Sequence, residues 1–220
     1  MASSPIFTVE ANIGAGKSTL LSELPDALPD GRKIVKLLEP VNDWMSFKAA
    51  SEEKGLFELY YNDKKRYGFV FQMLALQSRI QDIVTTVRNN PGSVIVCERC
   101  YLTDNELFAK MLYEDGFMSE TEYMVYKRWF DFVQETLDFI RMTGVIYIRA
   151  DPQVCVSRII KRNREGEEAI NLSYIKKLHE HHERWIATLH KDDKGSKLLE
   201  VDGNDKPDMT AIIEFIQANA

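Results

Sequence analysis

A glycine-rich segment near the start of the chain has the composition of a phosphate-binding loop. The apolar run at residues 6–9 leads into Glu-Ala-Asn-Ile-Gly-Ala-Gly-Lys-Ser-Thr, residues 10–19. This nearly matches the pattern G-x-x-x-x-G-K-[ST], whose backbone N–H groups surround phosphate oxygens at a helix N-terminus. We predict that Lys17 pairs with the outer phosphates of a triphosphate and that the Ser18 hydroxyl reaches Mg²⁺.

The loop departs from the strict pattern at its first position, where Ala11 stands in place of glycine. If this position needs a positive φ, alanine is strained there, and Ala11→Gly would relieve the strain. The alternative to a phosphate site is a flexible turn that binds nothing. The intact Gly-Lys-Ser-Thr, with a strand pattern before it and a helix pattern after it, favours the phosphate site.

Two glutamates follow directly on buried apolar runs. Glu39 comes after residues 33–38, and Glu98 comes after residues 93–97 and is followed by Arg99. Because ligands bind at the carboxyl ends of parallel strands, we expect both acids at that edge of a sheet. A carboxylate there can accept a proton from an attacking hydroxyl or hold Mg²⁺, and Arg99 can orient an acid and the reacting oxygen. A helix cap or a surface ion pair is the alternative for each glutamate.

A cluster of arginines lies in the second half of the chain. Arg158 and Arg162 are four residues apart on one predicted helix face, and Arg164 lies in the polar segment 163–171. Phosphoryl transfer needs cations over the transferring group and a cover that excludes water. We therefore predict a mobile Arg-rich lid at about residues 162–171. A solvated basic face is the alternative, although three glutamates follow at once.

The long helical pattern at residues 63–88 carries polar groups on an apolar face. Gln72, Ala75, Leu76 and Arg79 fall at i, i+3, i+4 and i+7. A buried amide and a buried guanidinium are costly without partners, and a planar polar ligand would supply them. The alternative is that both point to solvent at the helix edge.

Histidines are concentrated in a later helical pattern. His179, His181 and His182 lie close together, and His190 follows nearby. With no acidic nucleophile motif around them, we interpret these histidines as a solvated helix face rather than a metal site.

Alternating strand and helix patterns position these residues. The predicted strands are residues 6–9, 33–38, 93–97, 145–148 and 197–201. The predicted helices are residues 17–24, 63–88, 103–113, 120–141, 152–161, 172–190 and 208–218. The nearly continuous apolar character of the strands favours a parallel sheet covered on both faces, and Asp151-Pro152 is typical of a helix start. Without repeats or linkers, residues 1–220 are predicted to form a single domain.

Composition excludes several classes of protein. The 34 acidic and 28 basic residues give a net charge of −6, which argues against a nucleic-acid binder. No apolar run approaches the roughly 20 residues of a membrane span, and the start has no basic region before an apolar stretch. We therefore expect no membrane association and no targeting signal. Three cysteines without metal-ligand spacing favour a reduced, cytoplasmic protein.

Together, the motifs resemble those of the deoxyribonucleoside kinases of the deoxycytidine and deoxyguanosine kinase type. The matching pieces, in the order of that family, are residues 12–19, Glu39-Pro40-Val41 with Trp44, Tyr61, Phe71-Gln72, Arg79, Glu98-Arg99, Asp104, Phe108, residues 158–164 and residues 174–185. The resemblance implies a P-loop kinase fold with a five-stranded parallel sheet flanked by helices, and a homodimer. It also implies transfer of the γ-phosphoryl group of ATP, with Mg²⁺, to the 5′-hydroxyl of a deoxynucleoside.

The resemblance further implies individual roles. Glu39 is the catalytic base and Arg99 holds the 5′ end of the substrate, while Glu98 belongs with Ser18 to the Mg²⁺ site. The residues expected to bind the ATP donor are Asn12, Gly14, Ala15, Gly16, Lys17, Ser18, Thr19, Arg158, Arg162, Arg164 and Asp205. Those expected around the deoxynucleoside are Tyr61 and Glu167 at the sugar 3′-hydroxyl, Gln72 at the base edge, Trp44, Phe71 and Phe108 along the base slot, and Arg79 and Asp104. The chain departs from the family at Ala11, at Cys100 where serine is usual, and at Glu165-Gly166-Glu167.

In this family, the positions of Ala75, Arg79 and Asp104 separate deoxycytidine and purine kinases from thymidine-preferring ones. An ionised Asp104 can only accept hydrogen bonds and suits an exocyclic amino group, whereas Arg79 can only donate. Thymine would leave Asp104 without a donor. We therefore expect deoxycytidine or purine deoxynucleosides to be preferred over thymidine. A structural Arg79–Asp104 salt bridge behind the pocket is the alternative.

Other functions compatible with these motifs remain open at this point. A broad-specificity or pyrimidine-preferring nucleoside kinase would use the same residues. A nucleoside monophosphate kinase would need a further basic cluster to hold the acceptor phosphate. A non-catalytic interaction subunit should have lost Glu39 or Lys17, yet both are present.

Overall fold

A five-stranded parallel sheet forms the centre of the protein in the computed structural model, which describes residues 4–163, 170–190 and 197–220. The strand order is β2-β3-β1-β4-β5. The strands are β1 (Ile6–Ala11), β2 (Ile34–Leu37), β3 (Val94–Glu98), β4 (Gly144–Arg149) and β5 (Lys197–Asp202). All five predicted strands are confirmed, and β1 lies at the middle, where the chain changes direction across the sheet.

Helices connect the strands. They are α1 (Lys17–Glu23), α2 (Val41–Ser46), α3 (Leu56–Asn62), α4 (Lys64–Asn89), α5 (Tyr101–Thr103), α6 (Lys110–Glu114), α7 (Glu120–Thr136), α8 (Pro152–Arg162), α9 (Leu172–Leu189) and α10 (Met209–Asn219). A π-helical turn, Asp104–Ala109, joins α5 to α6, and a 3-10 turn, Asp138–Ile140, follows α7. None of the helices in the described part of the chain combines the length and apolar content that crossing a membrane requires.

Four helical features differ from the sequence prediction. The predicted helix over residues 103–113 is interrupted by the π-helical turn Asp104–Ala109. The short helices α2 and α3 were not predicted, because six and seven residues are too few to show a clear helical period. The prediction of one helix over residues 120–141 is wrong at its end, since Leu137 leaves the helical region with φ −108° and ψ 52°. The start of α8 is confirmed: the Asp151 carboxylate accepts a hydrogen bond from the N–H of Gln153 at 2.7 Å.

The chain divides into two compact units. The first contains the sheet and is formed by the chain up to Leu38, residues 82–99 and the chain from Phe139 onward. The second consists of Glu39–Gln81 and Cys100–Asp138 and contains none of the five strands. The phosphate loop belongs to the first unit, whereas Glu39, Arg79 and Asp104 belong to the second. The single-domain expectation stays a prediction.

Both faces of the sheet are buried in the first unit. On one face, Val9 packs in a cluster with Leu21 of α1 and Ile212 of α10. On the other, Val145 and Tyr147 pack against Ile186 of α9. Because side chains alternate between the faces of a strand, apolar helices on both sides explain why β1, β3 and β4 are nearly continuous apolar runs.

Two histidines of α9 belong to this buried layer. His181 and His182 are almost fully buried, so their interpretation as a solvated helix face is wrong. The His182 Nδ1–H donates to the Leu178 carbonyl at 2.8 Å, and its ring stacks on Tyr147 with centroids 5.7 Å apart. Burial, followed by the positive charge of Arg99, lowers the pKa of His182 well below its usual value. His182 is therefore neutral in the folded protein.

We expect His182 to make the folded state sensitive to acid. The contribution of neutral His182 to the free energy of unfolding is fully present above the unfolded-state pKa of 6.5. It is lost as the pH falls, because only the unfolded chain then takes up a proton. The cost approaches about 1.4 kcal/mol per pH unit below that value. Urea unfolding of wild type and His182→Gln between pH 7.5 and 5 measures the difference. The exposed His190→Gln is the control, and equal pH slopes for wild type and His182→Gln would contradict this assignment.

Candidate active site

The phosphate loop joins the central strand β1 to α1. Gly14 and Gly16 have φ values of 81° and 102°, a region that favours glycine. A Cβ at Gly14 would lie 2.5 Å from the carbonyl oxygen of Cys155, so α8 also requires glycine there. The Asn12 side chain donates to the Ile175 carbonyl at 2.9 Å and fixes the start of the loop against α9. The backbone thus has the strand-loop-helix geometry of an anion site.

Two cations meet at the carboxyl end of β1. The Lys17 Nζ donates to the carbonyl oxygens of Ala11 and Asn12 at 3.2 and 3.1 Å. The Arg99 Nη2 donates to the same Ala11 carbonyl at 3.2 Å. Both side chains are buried, and a buried positive charge favours an anionic ligand. The structure therefore brings together Lys17, which the loop pattern assigns to phosphate, and Arg99, which the family resemblance places at the 5′ end of the substrate.

An oxygen pair suited to Mg²⁺ lies beside the loop. The Ser18 hydroxyl donates to the Glu98 carboxylate at 2.8 Å. A hydroxyl and a carboxylate are the hard oxygen ligands that Mg²⁺ prefers, directly or through water. These two residues fit the predicted metal site, and the sequence identified both.

The residue after Glu98 has an uncommon backbone conformation. Arg99 has a φ of 61°, while its N–H donates to the Val9 carbonyl at 3.1 Å. A left-handed conformation at a non-glycine residue costs about 1–3 kcal/mol and persists where the surroundings enforce it. Here it turns the chain at the end of β3 and leaves the guanidinium at the edge of the sheet.

The expectation that alanine is strained in the loop is wrong. Ala11 is the last residue of β1, and among the described residues the non-glycine positions with a positive φ are Arg99 and Asn163. The first position of the loop pattern is thus still strand, where alanine fits. Its methyl group is fully buried in the core cluster.

Arg158 of α8 does not point freely into solvent. Its Nη1 donates to the Gly203 carbonyl at 2.7 Å and its Nη2 to the Asn204 carbonyl at 2.8 Å. Asp205 is exposed at the next position. The structure thus joins Arg158 to the segment that contains Asp205, another residue of the predicted donor site.

The predicted lid is only partly described. Arg162 is the last residue of α8, and Asn163 follows in a left-handed conformation with φ 47°. Arg164 and Glu167 lie outside the described residues, as does most of the segment 162–171. The Arg-rich lid and the role of Glu167 stay predictions.

An aromatic cluster occupies the second unit. Trp44, Phe71 and Tyr61, all expected at the substrate, are joined there by Phe57 and Tyr60. Phe57 lies 6.3 Å from Trp44 and 5.0 Å from Tyr61, between ring centroids, and Tyr60 stacks on Phe71 at 4.5 Å. The sequence analysis missed Phe57 and Tyr60, although Phe57 lies three and four residues before Tyr60 and Tyr61, a helical spacing. A wall of rings suits the flat face of a nucleobase.

The polar face of α4 is buried, as predicted from its period. Gln72 is 1% exposed and Arg79 is 4% exposed, so the alternative that they point to solvent is wrong. Within the described parts of the chain, the Gln72 Oε1 accepts no hydrogen bond. A buried carbonyl oxygen without a donor costs about 1–3 kcal/mol, which a ligand N–H would recover.

Arg79 connects two carboxylates. Its Nε donates to the Asp104 carboxylate, with oxygens at 2.9 and 3.1 Å, and its Nη2 donates to the Glu39 carboxylate at 2.5 Å. The guanidinium carbon lies 4.9 Å from the centre of the Trp44 ring, whose Nε1–H donates to Ser78 at 2.9 Å. The sequence predicted the Arg79–Asp104 pair, but not the contact with Glu39.

A buried tyrosine completes this polar region. The hydroxyl of Tyr126 on α7 has no hydrogen-bond partner among the residues that the structure describes. Burial, together with the Asp104 carboxylate, raises the pKa of Tyr126 well above its usual value, so it is a neutral hydroxyl. Phe108 lies half-buried on the same π-helical turn as Asp104. Sequence reasoning missed Tyr126, because nothing in its neighbours marks it as different from a core residue.

Comparison with known proteins gives consistent matches. A family model described as deoxynucleoside kinase matches residues 7–217. The chain is 33% identical over 196 residues to a deoxycytidine kinase of Mus musculus, covering 82% of this chain and 74% of the relative. It is 33% identical over 194 residues to a mitochondrial deoxyguanosine kinase of Xenopus laevis, covering 82% and 72%. It is 31% identical over 196 residues to the deoxycytidine kinase of Homo sapiens, covering 82% and 74%.

We expect Ala11→Gly to weaken the protein rather than improve its loop. Glycine removes a buried methyl group and gives the unfolded chain more backbone freedom, which together lower the free energy of unfolding by about 1–2 kcal/mol. Urea unfolding measures this cost, and the KM for ATP should not improve. Ala150→Gly, at another buried position of the same core cluster, is the control. A more stable Ala11→Gly variant would contradict the finding that this position is unstrained.

Proposed function

The chain belongs to the deoxynucleoside kinase family, and on that premise we propose that it transfers the γ-phosphoryl group of ATP to the 5′-hydroxyl of a deoxynucleoside. The products are ADP and the deoxynucleoside 5′-monophosphate, as in nucleoside salvage. The observation that carries this proposal is the buried polar region of the second unit. Gln72, Arg79 and Asp104 line up there beside aromatic rings, an arrangement that suits a planar base with hydrogen-bonding edges.

The proposed chemistry is a balanced transfer between two oxygens. The Glu39 carboxylate takes the proton of the 5′-hydroxyl, whose oxygen forms a bond to the γ-phosphorus. The bond from the γ-phosphorus to the bridging oxygen breaks, and ADP keeps that electron pair. Arg99 holds the 5′ oxygen, and Lys17 stabilises the negative charge on the transferring group.

The donor side uses residues of the first unit. Lys17 can exchange the carbonyl oxygens that it now contacts for phosphate oxygens, and N–H groups of the loop would donate to the same anion. Ser18 and Glu98 would hold Mg²⁺, which neutralises charge on the phosphates when bound. Arg158, Arg162 and Arg164 complete the proposed donor site, as the family resemblance implies.

The acceptor side uses residues of the second unit. Trp44, Phe71 and Phe108 enclose the base, and Tyr61 contacts the sugar 3′-hydroxyl together with Glu167. Gln72 has an unused acceptor for a base N–H. Asp104 accepts from an exocyclic amino group, and Arg79 donates to a base acceptor. This set supports deoxycytidine or a purine deoxynucleoside over thymidine.

We further propose a homodimer in the cytoplasm. α7 exposes Met124, Val125, Trp129 and Phe132 along one side of the helix. Exposed large apolar side chains grouped on one helix are typical of a surface that another chain covers. A second copy of the chain, paired through the same surface, satisfies this requirement in a symmetric way.

The role of Glu39 is tested by Glu39→Gln. The variant should fold and bind nucleoside but lose about 10²–10⁴-fold in kcat, because a positioned base contributes that much. A coupled ADP-release assay over a panel of nucleosides and monophosphates measures turnover. Glu58→Gln, an exposed residue of α3 paired with Lys54, is the control. A loss of less than tenfold would show that Glu39 is not the base.

Base preference is tested in the same assay. We expect deoxycytidine, deoxyadenosine or deoxyguanosine to exceed thymidine in kcat/KM by at least about tenfold, or ~1.4 kcal/mol. An Arg79→Met, Asp104→Ala double variant should gain thymidine activity, because it removes the groups that thymine cannot match. Thymidine as the best wild-type substrate, or no such gain, would overturn the preference.

The dimer is tested by sedimentation at micromolar concentration. Wild type should sediment at twice the chain mass of 25.4 kDa, and Trp129→Glu should shift the mass toward the monomer. Ile160→Glu, at an apolar residue of α8 that is 72% exposed, should leave the dimer intact. A stable wild-type monomer would contradict the proposal.

A further inference from the structure

The Arg79 guanidinium contacts two carboxylates that have different roles in the proposed function. Arg79 donates through Nε to Asp104, which would read the nucleobase, and through Nη2 to Glu39, which would take the proton. Arg79 is 4% exposed and the Asp104 side chain is 1% exposed. Water therefore contributes little to the solvation of these charges, and each must rely on the others.

The contact with Glu39 works against the reaction. A carboxylate that accepts a charge-assisted hydrogen bond from a guanidinium is a weaker proton acceptor than one without it. When Glu39 takes a proton, Arg79 also loses an anionic partner while it remains buried. Another acceptor on Arg79 would remove both penalties.

The two carboxylates differ in their freedom to move. Asp104 is fixed in the π-helical turn and almost fully buried, whereas the Glu39 side chain is 14% exposed and lies between β2 and α2. Trp44 covers one face of the guanidinium and is itself held by Ser78, which donates to the Ala75 carbonyl at 3.1 Å. Arg79 is thus held in place, and Glu39 is the partner that can leave.

We propose that Arg79 couples recognition of the nucleobase to release of the catalytic base. Without substrate, Arg79 holds Glu39. A nucleobase with a hydrogen-bond acceptor takes over the Nη2 donors, and the Glu39 carboxylate turns to the 5′-hydroxyl. Arg79 is then a positioning residue as well as a specificity residue. This inference rests on the proposed function, which assigns Glu39 as the base and a deoxynucleoside as the substrate.

The coupling predicts that loss of the Glu39 carboxylate strengthens binding of the nucleobase rather than weakening it. If Glu39 and the base compete for Arg79, weakening the Glu39 contact must strengthen binding of the base. The probe is the analogue of deoxycytidine that lacks the 5′-hydroxyl, because it cannot bind Glu39 directly. Calorimetric titration without ATP gives its affinity for each variant.

We expect Glu39→Gln to bind this analogue about 3- to 30-fold more tightly than wild type, the range expected for residues in direct contact. Glu58→Gln should bind it as wild type does. In an Arg79→Met background, the additional Glu39→Gln change should have no effect. Unchanged or weaker binding by Glu39→Gln would overturn the coupling, and so would an equal gain in the Arg79→Met background.

Further variants and substrates separate the possible failures. Thermal unfolding checks that Glu39→Gln is folded; if it is not, Glu39→Asp, whose shorter side chain draws back from Arg79, carries the same expectation of tighter binding. Turnover of deoxynucleosides by wild type, combined with unchanged binding in the variants, would overturn the coupling alone. Absence of both binding and turnover for every deoxynucleoside would overturn the proposed function and the coupling with it.

Discussion

The buried charge of Arg79 is the constraint on which the second unit depends. A guanidinium withdrawn from water must keep anions around it, and this requirement ties α4 to the π-helical turn and to the segment after β2. Trp44 packs on this guanidinium, and further rings contact Trp44. Polar groups that the fold already holds in place lower the cost of binding a polar ligand, because less ordering is needed when the ligand arrives.

The first unit meets the same requirement in a different way. Lys17 and Arg99 both donate to the Ala11 carbonyl, a backbone oxygen at the end of β1. This shared acceptor brings two buried cations to the same edge of the sheet, next to the phosphate loop. A backbone carbonyl thus takes part in holding the cations of the first unit, whereas Arg79 in the second unit donates to the carboxylates of Glu39 and Asp104.

Patterns of neighbouring residues explain what could be predicted from the sequence. The loop and Ser18 follow from a strand, a glycine-rich turn and a helix in succession, and Glu98 follows directly on another buried apolar run. Their proximity could be predicted because ligands of parallel sheets bind at the carboxyl ends of the strands. The contact between Glu39 and Arg79 joins residues 40 positions apart through side-chain geometry, and no pattern in the chain encodes it. The burial of His181 and His182 was missed for a related reason, since the charged residues beside them suggest an exposed face, while packing on the sheet decides otherwise. The short α3, with Phe57 and Tyr60, was missed because its period is visible over only two turns.

The π-helical turn at Asp104–Ala109 has a consequence for the buried ion pair beside it. A π turn contains one more residue than the α-helical turn it replaces, because its hydrogen bonds join residues five apart. Removing one residue would restore an ordinary α-helical turn and redistribute the side chains within it over the helix surface at about 100° per residue. A change in chain length, with no change in residue type, would therefore alter the surroundings of the Asp104–Arg79 pair. Length variation in this turn is thus a second route, besides substitution, to a change around a buried charge.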